Sequence, residues 1–446
     1  MKMFKLSLLM VCVLAWPVAA ATPDSVGNND KLASGYDATC IIEGTTLYCW
    51  GPNAMGAVGD GTTTARSNAN QYQHSGSWKS VSSNWGHTCA INSSDELYCW
   101  GKNDNGQLGQ GDLTDRSSPT RVGTATYYRV ANGSQHTCAI RKSPNANTDG
   151  NGNSDMYCFG DNAYGQVGDG TTTDRTTPTL ASVKSVFVAA GWGHTCIITA
   201  TSGTTRILSC VGQNNYGQLG DNTTTNNSAW QAPRKSDGTA ITMNYVSKLA
   251  ANTYQTCVIG GLTSTNSELR CWGNNSQSAV GDPSASFVKY VPTSAKCMPS
   301  AAHFGRTSIG WNICSGFTEV SVGYQHVVSI WDATWTQQNP FYAYHEGLHV
   351  VGMGWGAFDQ FAQYGSGSGF NSTSNLVVFD EPDGSCYNDN CSGVAGYTGY
   401  ALGVAGGWYR SFGYYAVHAF REYGTDTSYP SPPWLQSVID AQGWEY

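Results

Sequence analysis

Gly86-His87-Thr88-Cys89, followed by Leu97-Tyr98-Cys99-Trp100-Gly101 and then Gly106-Gln107-Leu108-Gly109, is the stretch on which the fold turns. Its first step returns as Gln135-His136-Thr137-Cys138 and Gly193-His194-Thr195-Cys196, and more loosely as Asp37-Ala38-Thr39-Cys40 and Tyr254-Gln255-Thr256-Cys257. Its last step returns as Gly165-Gln166-Val167-Gly168 and Gly217-Gln218-Leu219-Gly220, with variants Gly56-Ala57-Val58-Gly59 and Ser278-Ala279-Val280-Gly281. Between the two steps lie short apolar runs parted by a turn, the pattern of a β-hairpin. Turns rich in Thr, Asp, Ser and Pro follow, as at Asp112 to Thr120 and Asp169 to Thr179.

The register continues where the cysteines stop. Gly323-Tyr324-Gln325-His326-Val327-Val328 takes the first step and Ala362-Gln363-Tyr364-Gly365 the last, and an eroded copy runs Gly407-Trp408-Tyr409-Arg410-Ser411-Phe412. The first-cysteine positions 40, 89, 138, 196, 257, 328 and 412 step by 49, 49, 58, 61, 71 and 84 residues, so seven units lengthen toward the C-terminus. A period near 50 with several short strands per unit reads as a β-propeller. One four-stranded unit cannot bury both its faces, whereas seven packed around an axis can, and the ring leaves few open sheet edges. The expected fold is therefore all-β, a seven-bladed β-propeller over residues 22–446, with units at about 30–75, 76–125, 126–182, 183–240, 241–318, 319–380 and 381–446.

Trp50-Gly51-Pro52-Asn53, Trp100-Gly101-Lys102-Asn103 and Trp272-Gly273-Asn274-Asn275, together with the Gly-Gln-Leu-Gly element, resemble the regulator-of-chromosome-condensation repeat family. The resemblance covers roughly residues 30 to 430, strongest in the first five units. It implies a propeller with hairpin-joined strands. It does not bring the family's founding activity, because nucleotide exchange on a nuclear GTPase has no meaning for an exported acidic chain. Exported members look like binding scaffolds, and secreted propeller inhibitors of β-lactamases share the seven-unit architecture. The shape is thus implied, and function has to be sought in departures from the repeat.

Composition agrees with that shape. Glycine is 53 of 446 residues, roughly twice the usual ~7%, and charged residues are 12% against a usual ~25%. Aromatics at 12% exclude a disordered chain. Lys2 and Lys5, an apolar run from Leu6 to Ala15, then Pro17 and Val18-Ala19-Ala20-Ala21 read as a secretory signal over residues 1–21, with Cys12 inside it. Its removal leaves a formal charge of −10 and no Lys/Arg cluster. Nucleic acid and anionic membrane are excluded as partners on that ground, and membrane insertion because no later stretch approaches ~20 apolar residues. The expected product is a secreted monomer, extracellular or periplasmic.

Fourteen cysteines remain after Cys12, an even number that in an exported chain reads as a disulfide framework. The sequence-close pairs are Cys40/Cys49, Cys89/Cys99, Cys138/Cys158, Cys196/Cys210, Cys257/Cys271, Cys297/Cys314 and Cys386/Cys391. None has the Cys-x2-Cys spacing of a zinc site.

The largest departure from the repeat is residues 331–370, with ten aromatics in forty residues and only Asp332, Glu346 and Asp359 charged. Trp331, Trp335, Phe341, Tyr342 and Tyr344 fall in a hairpin insertion of unit six, with Trp355 beyond it, and aromatic anchors depleted of charge resemble a binding hot spot. These six are the expected contacts for an extracellular or cell-surface protein, or alternatively a glycan, through loops of the last three units. No catalytic residue and no cofactor is expected. Two rivals qualify that reading. His345-Glu346-Gly347-Leu348-His349 matches the His-Glu-x-x-His motif of zinc hydrolases. It resembles metzincin peptidases as far as Gly352, but Trp355 stands where their third ligand belongs. In repeat register the segment is a strand, on which the two imidazoles lie ~13 Å apart, too far to share an ion. The loop from Asn145 to Asp155 resembles a calcium loop, with Asn145, Asn147, Asp149 and Asn153 as oxygen ligands for a structural calcium, although two of the usual carboxylates are Asn. His87, His136, His194 and His326 share one repeat position and are expected to be packing residues bonded to backbone.

Overall fold

The computed structural model describes residues 31–66, 72–142, 153–201, 205–241, 245–261 and 268–275, and beyond them short segments, nearly all strand, between 288 and 423. Its regular structure is antiparallel β-strand, and among the described residues no helix is long and apolar enough to cross a membrane.

The strands form a seven-bladed propeller, each blade ordered from an inner strand outward. Blade one comprises Leu32–Ser34, Thr39–Glu43, Thr46–Trp50 and Gln73–His74. Blade two comprises Trp78–Ser83, His87–Asn92, Glu96–Gly101 and the first part of the long strand Arg116–Asn132. The rest of that strand becomes the inner strand of blade three, beside His136–Arg141, Ser154–Gly160 and Arg175–Ser185, so blades two and three form one seven-stranded sheet. Blade four is Phe187–Ala190, His194–Ala200, Arg206–Gly212 and Asn227–Gln231, and blade five is Tyr245–Asn252, Gln255–Gly261, Glu268–Asn274 and Val288–Ser294. Blade six is Phe317–Val322, His326–Asp332, Leu348–Gly354 and Val377–Phe379, and blade seven shows Ala401–Gly406, Ser411–Tyr415 and Phe420–Tyr423. Each inner strand lies against the next around the axis, and Ala401–Gly406 returns to Leu32–Ser34 to close the ring.

Burial follows from this stacking. The second strands are buried in continuous runs rather than alternately, as in His87–Asn92 and Gln255–Gly261, because each blade is covered on both faces by its neighbours. The core accordingly lies between blades: Ala57 and Val58 of blade one pack with Trp78, Val81, Ala90 and Trp100 of blade two. Leu219 of blade four packs with Leu249, Val258 and Trp272 of blade five. The recurrent tryptophan crosses this boundary to donate its indole N–H backward, Trp100 to the Ala57 carbonyl and Trp272 to the Gln218 carbonyl, both at 2.8 Å. Blade four carries Val211 at that position, and Trp230 from its outer strand fills in, donating to the Gly168 carbonyl at 3.2 Å.

The asparagine of the Trp-Gly-x-Asn step organises the loop that follows it. Asn103 donates from Nδ2 to the Asp112 and Thr114 carbonyls at 3.0 and 3.1 Å and accepts the Leu108 N–H at 2.9 Å. Asn53 and Asn162 do the same in their own blades, and Asn214 bonds the Thr223 carbonyl and the Leu219 N–H. One side chain thus satisfies three backbone groups of an irregular loop, where Asp would supply no donor and Leu would leave all three unpaired.

Five of the expected disulfides are formed: Cys40–Cys49, Cys89–Cys99, Cys138–Cys158, Cys196–Cys210 and Cys257–Cys271. Each joins directly opposed residues of the second and third strands, with Cα atoms 4.1 to 4.2 Å apart, the close spacing of a non-hydrogen-bonded pair. Such bonds persist in an oxidising compartment. Cys297 is opposed to Asn312 in a two-stranded ribbon, two residues short of Cys314. Cys314, Cys386 and Cys391 lie outside the described residues.

Candidate binding face at the propeller axis

In blades one to four, where both are described, two turns come to the same end of the propeller: the tight turn from first to second strand, and the Gly-Gln-Leu-Gly loop from third to fourth. The residue two places before the histidine position caps the first of these. It is Tyr36, Trp85, Ser134, Trp192 and Thr253 in blades one to five, with Tyr254 adjoining Thr253. These positions surround the axis, and their rings meet. Tyr36 stacks on Trp85 at 4.9 Å and 20°, Trp85 meets Trp192 edge-on at 5.6 Å, and Trp192 leads to Tyr254 at 6.2 Å. Tyr216, from the loop of blade four, lies against Tyr254 at 4.6 Å. Blade three carries the small Ser134 at this position, so the indoles of blades two and four touch across it. The result is an arc of five aromatic rings over five blades, with Tyr36 and Tyr216 38% and 37% exposed and the other three partly exposed.

Beneath the arc the chemistry is sealed. His87 bonds through Nε2 to the Thr137 hydroxyl of the next blade at 2.9 Å, and that hydroxyl donates to the Gln107 carbonyl at 2.9 Å. His136 reaches Thr195, and His194 reaches Thr256, each at 2.9 Å, and these hydroxyls in turn donate to the Gln166 and Gln218 carbonyls. Because each threonine proton goes to a carbonyl, the hydroxyl accepts, so Nε2 carries the imidazole hydrogen. The expectation of bonds to backbone is corrected here: the hydroxyl of the following His-Thr-Cys step intervenes and relays to backbone. All three imidazoles are fully buried, and burial holds their pKa down at about 3, so they are neutral. Neutral, buried and bonded, they position blades and offer nothing to a substrate. Among the described residues no group of three or more His, Cys, Asp or Glu gathers to hold a metal.

Charge divides the two ends of the propeller. Lys79 and Lys142 both pair with Asp95, and Lys184 with Asp155, at the end opposite the arc. The end that bears the arc has an acid surplus. Its loops set Asp112 and Asp115 against Arg116 in blade two, and Asp169 and Asp174 against Arg175 in blade three. Bonds from Thr171 and Arg175 hold the Asp169 carboxyl below its usual range even though desolvation opposes them. Bonds from Thr114 and Arg116 do the same for Asp112.

The sites expected from sequence are only partly within view. Trp331 lies on the strand His326–Asp332, paired with His349 on Leu348–Gly354, so the second histidine of the zinc-like motif is on a strand. Trp335, Phe341, Tyr342, Tyr344, Trp355 and His345 lie outside the described residues, as do Asn145, Asn147 and Asp149. Asn153 is buried, and its amide donates to the Ala200 carbonyl at 2.6 Å and accepts the Ala200 N–H at 2.8 Å. That side chain joins blades three and four rather than pointing its oxygen into a hairpin tip. The aromatic arc was not anticipated. Its signal was present, since Tyr324 and Trp408 also occupy the position two before the histidine, but Ser134 and Thr253 interrupt the series.

Two models of the regulator of chromosome condensation (RCC1) repeat match the chain, one over residues 94–140 and 153–198 and the other over 78–107 and 186–218. No curated protein sequence matches it. Human WBSCR16 is similar in structure, with 16% identity, a TM-score of 0.56, and 85% of this chain and 84% of that one covered. Prp20p from Saccharomyces cerevisiae, a structure described with its binding to Gsp1p and histones, gives 15% identity and a TM-score of 0.58 over 92% of this chain and 85% of that one. Yeast RCC1 (Prp20) bound by Kap60 gives 15% identity and 0.59 over 92% and 83%. At such identities the likeness speaks for the fold.

Proposed function

We propose that this chain, which carries RCC1 repeats folded as a seven-bladed propeller, is a secreted, non-enzymatic, monomeric scaffold that binds another protein. The observation that carries the reading is the arc Tyr36–Trp85–Trp192–Tyr254–Tyr216, continuous rings presented around the axis of a rigid disulfide-pinned frame. Tyrosine and tryptophan supply large contact area with few torsions to immobilise, which is why they dominate the energetics of protein interfaces. A frame fixed by cross-strand disulfides avoids most of the ordering cost of association. Trp331 and Trp335, with the other aromatics of unit six, are a second candidate contact on the strength of their composition. RCC1-like propellers that bind proteins, such as Prp20p with Gsp1p, support the general role. Secretion rests on the N-terminal signal pattern and is supported by the five disulfides.

The test is affinity capture from the host's extracellular fraction with the wild-type chain and with Trp85→Ser/Trp192→Ser. A protein retained by the first and lost by the second is expected. Identical retention by both, or retention of glycans alone, would refute the assignment.

A further inference from the structure

We infer that the partner meets the arc with a basic protrusion, laying an arginine or lysine side chain on the rings of Trp85 and Trp192. The inference deepens the binding reading above and rests on it. Three features of the molecule converge on it.

The first is the ring surface itself. An indole face carries negative electrostatic potential, and a cation within ~6 Å of its centroid is attracted. The chain already uses this pairing internally, with the Arg129 guanidinium 4.6 Å from the Phe187 centroid and Arg141 5.7 Å from Tyr157. Tyr36 stacks on one face of Trp85, and Trp85 and Trp192 meet edge-on at 63°, so the two indoles present differently inclined faces. The second is the acid surplus of that end of the propeller. Blades two and three each set two aspartates against one arginine there, and Asp104 beside the arc is 49% exposed with Lys102 as its salt-bridge partner. An arriving cation therefore finds favourable field over the whole face and not at the rings alone. The third is segregation. Lys79, Lys142 and Lys184 are held at the opposite end by Asp95 and Asp155, so they do not compete for the rings, and Lys102 at the arc's end is engaged by Asp104. The formal charge, −8 for the whole sequence and −10 without residues 1–21, adds long-range steering of the same sign. An acidic or neutral apolar loop would gain the rings but lose the field, and an acidic one would be opposed by it.

The test uses a displayed library of disulfide-closed peptide loops selected on the full mature chain with its disulfides intact. Enriched loops carrying Arg or Lys at the tip are expected. Their binding should weaken at least tenfold for Trp85→Ser/Trp192→Ser, severalfold for Asp104→Lys, and with rising salt. The Asp104→Lys variant leaves every ring in place and so reports on charge even if loss of the indoles disturbs the fold. Enriched loops without a basic tip that still depend on Trp85 and Trp192 would overturn the cationic chemistry and leave the binding face standing. Loops whose binding ignores both variants, or no enrichment at all, would overturn the face itself.

Discussion

Acid should unfold this protein by a route written into three blade interfaces. His87, His136 and His194 are buried with a pKa of about 3, and His74, whose Nε2 bonds to the Val58 carbonyl at 2.9 Å, is buried with a value of about 4. In each case desolvation is the first cause, and neighbouring imidazoles add to it for His87 and His194. In the unfolded chain each group titrates near 6.5. Above that value both states are neutral and nothing is lost. Below it the unfolded chain takes up a proton that the folded chain refuses, so stability falls as the pH drops from 6.5 and stops falling only as the folded values are passed. Each refused proton costs about 1.4 kcal/mol per pH unit, hence about 2 kcal/mol per histidine at pH 5 and about 8 kcal/mol for the four. That is comparable with the whole 5–15 kcal/mol by which domains are usually stable. Denaturant unfolding with disulfides intact, repeated from pH 8 to pH 4.5, should show a slope approaching four protons below pH 6, and His136→Gln should remove about one. Asp60 and Asp169, held below the usual carboxylate range, titrate at lower pH, while burial raises Asp37 and Asp161, whose proton uptake in the folded state works against the imidazole slope at the acid end. Stability unchanged between pH 8 and pH 5, or an unaltered slope in the variant, would refute the argument.

Other consequences are as direct. Thr195→Val keeps the volume but strands the His136 Nε2–H and the Gln166 carbonyl, so thermal unfolding should register a loss of about 2–4 kcal/mol; a loss below half a unit would mean the relay carries no weight. Gly109 has φ +69°, and an added Cβ would come within 2.9 Å of the Phe159 ring of the next blade, whereas Gly123 at φ +57° meets nothing within 4 Å. Gly109→Ala should therefore cost clearly more than Gly123→Ala, the latter limited to about 1 kcal/mol of backbone strain; equal costs would contradict the close packing of blades two and three. Elemental analysis of the purified chain should find no stoichiometric zinc, since His349 stands on a strand opposite Trp331; one equivalent, lost in His349→Ala, would overturn that register and revive the hydrolase.

Much of the propeller was legible because its determinants recur within one unit. The cysteine pairs face each other across a single hairpin, so the spacing of Cys89 and Cys99 already contains the contact. The histidine relay was half legible. His136 and Thr195 stand 59 residues apart, and only the stacking of successive blades makes them neighbours. The slot that forms the arc escaped notice for a different reason, since Ser134 and Thr253 break the series and the rings touch only because the ring of blades brings the turns together. Trp230 shows the limit of pattern reading: it replaces a residue missing from its own third strand, from an outer-strand position that Pro119 and Pro178 hold in blades two and three. The insertion of unit six was singled out by composition alone, which says that a segment is unusual but fixes no contact within it.

The polarity of the relay has a further consequence. Each blade from two to four offers an imidazole donor to its successor, and each from three to five offers a hydroxyl acceptor to its predecessor. Such an interface is heterologous, the head of one unit on the tail of the next, like that between subunits of a cyclic oligomer. Its hydrogen bonds would be satisfied equally well if a copy of blade three were spliced in beside the original. Gene duplication can thus lengthen the array without stranding a polar group, and the count of blades is left to the wedge angle at which each one meets the next.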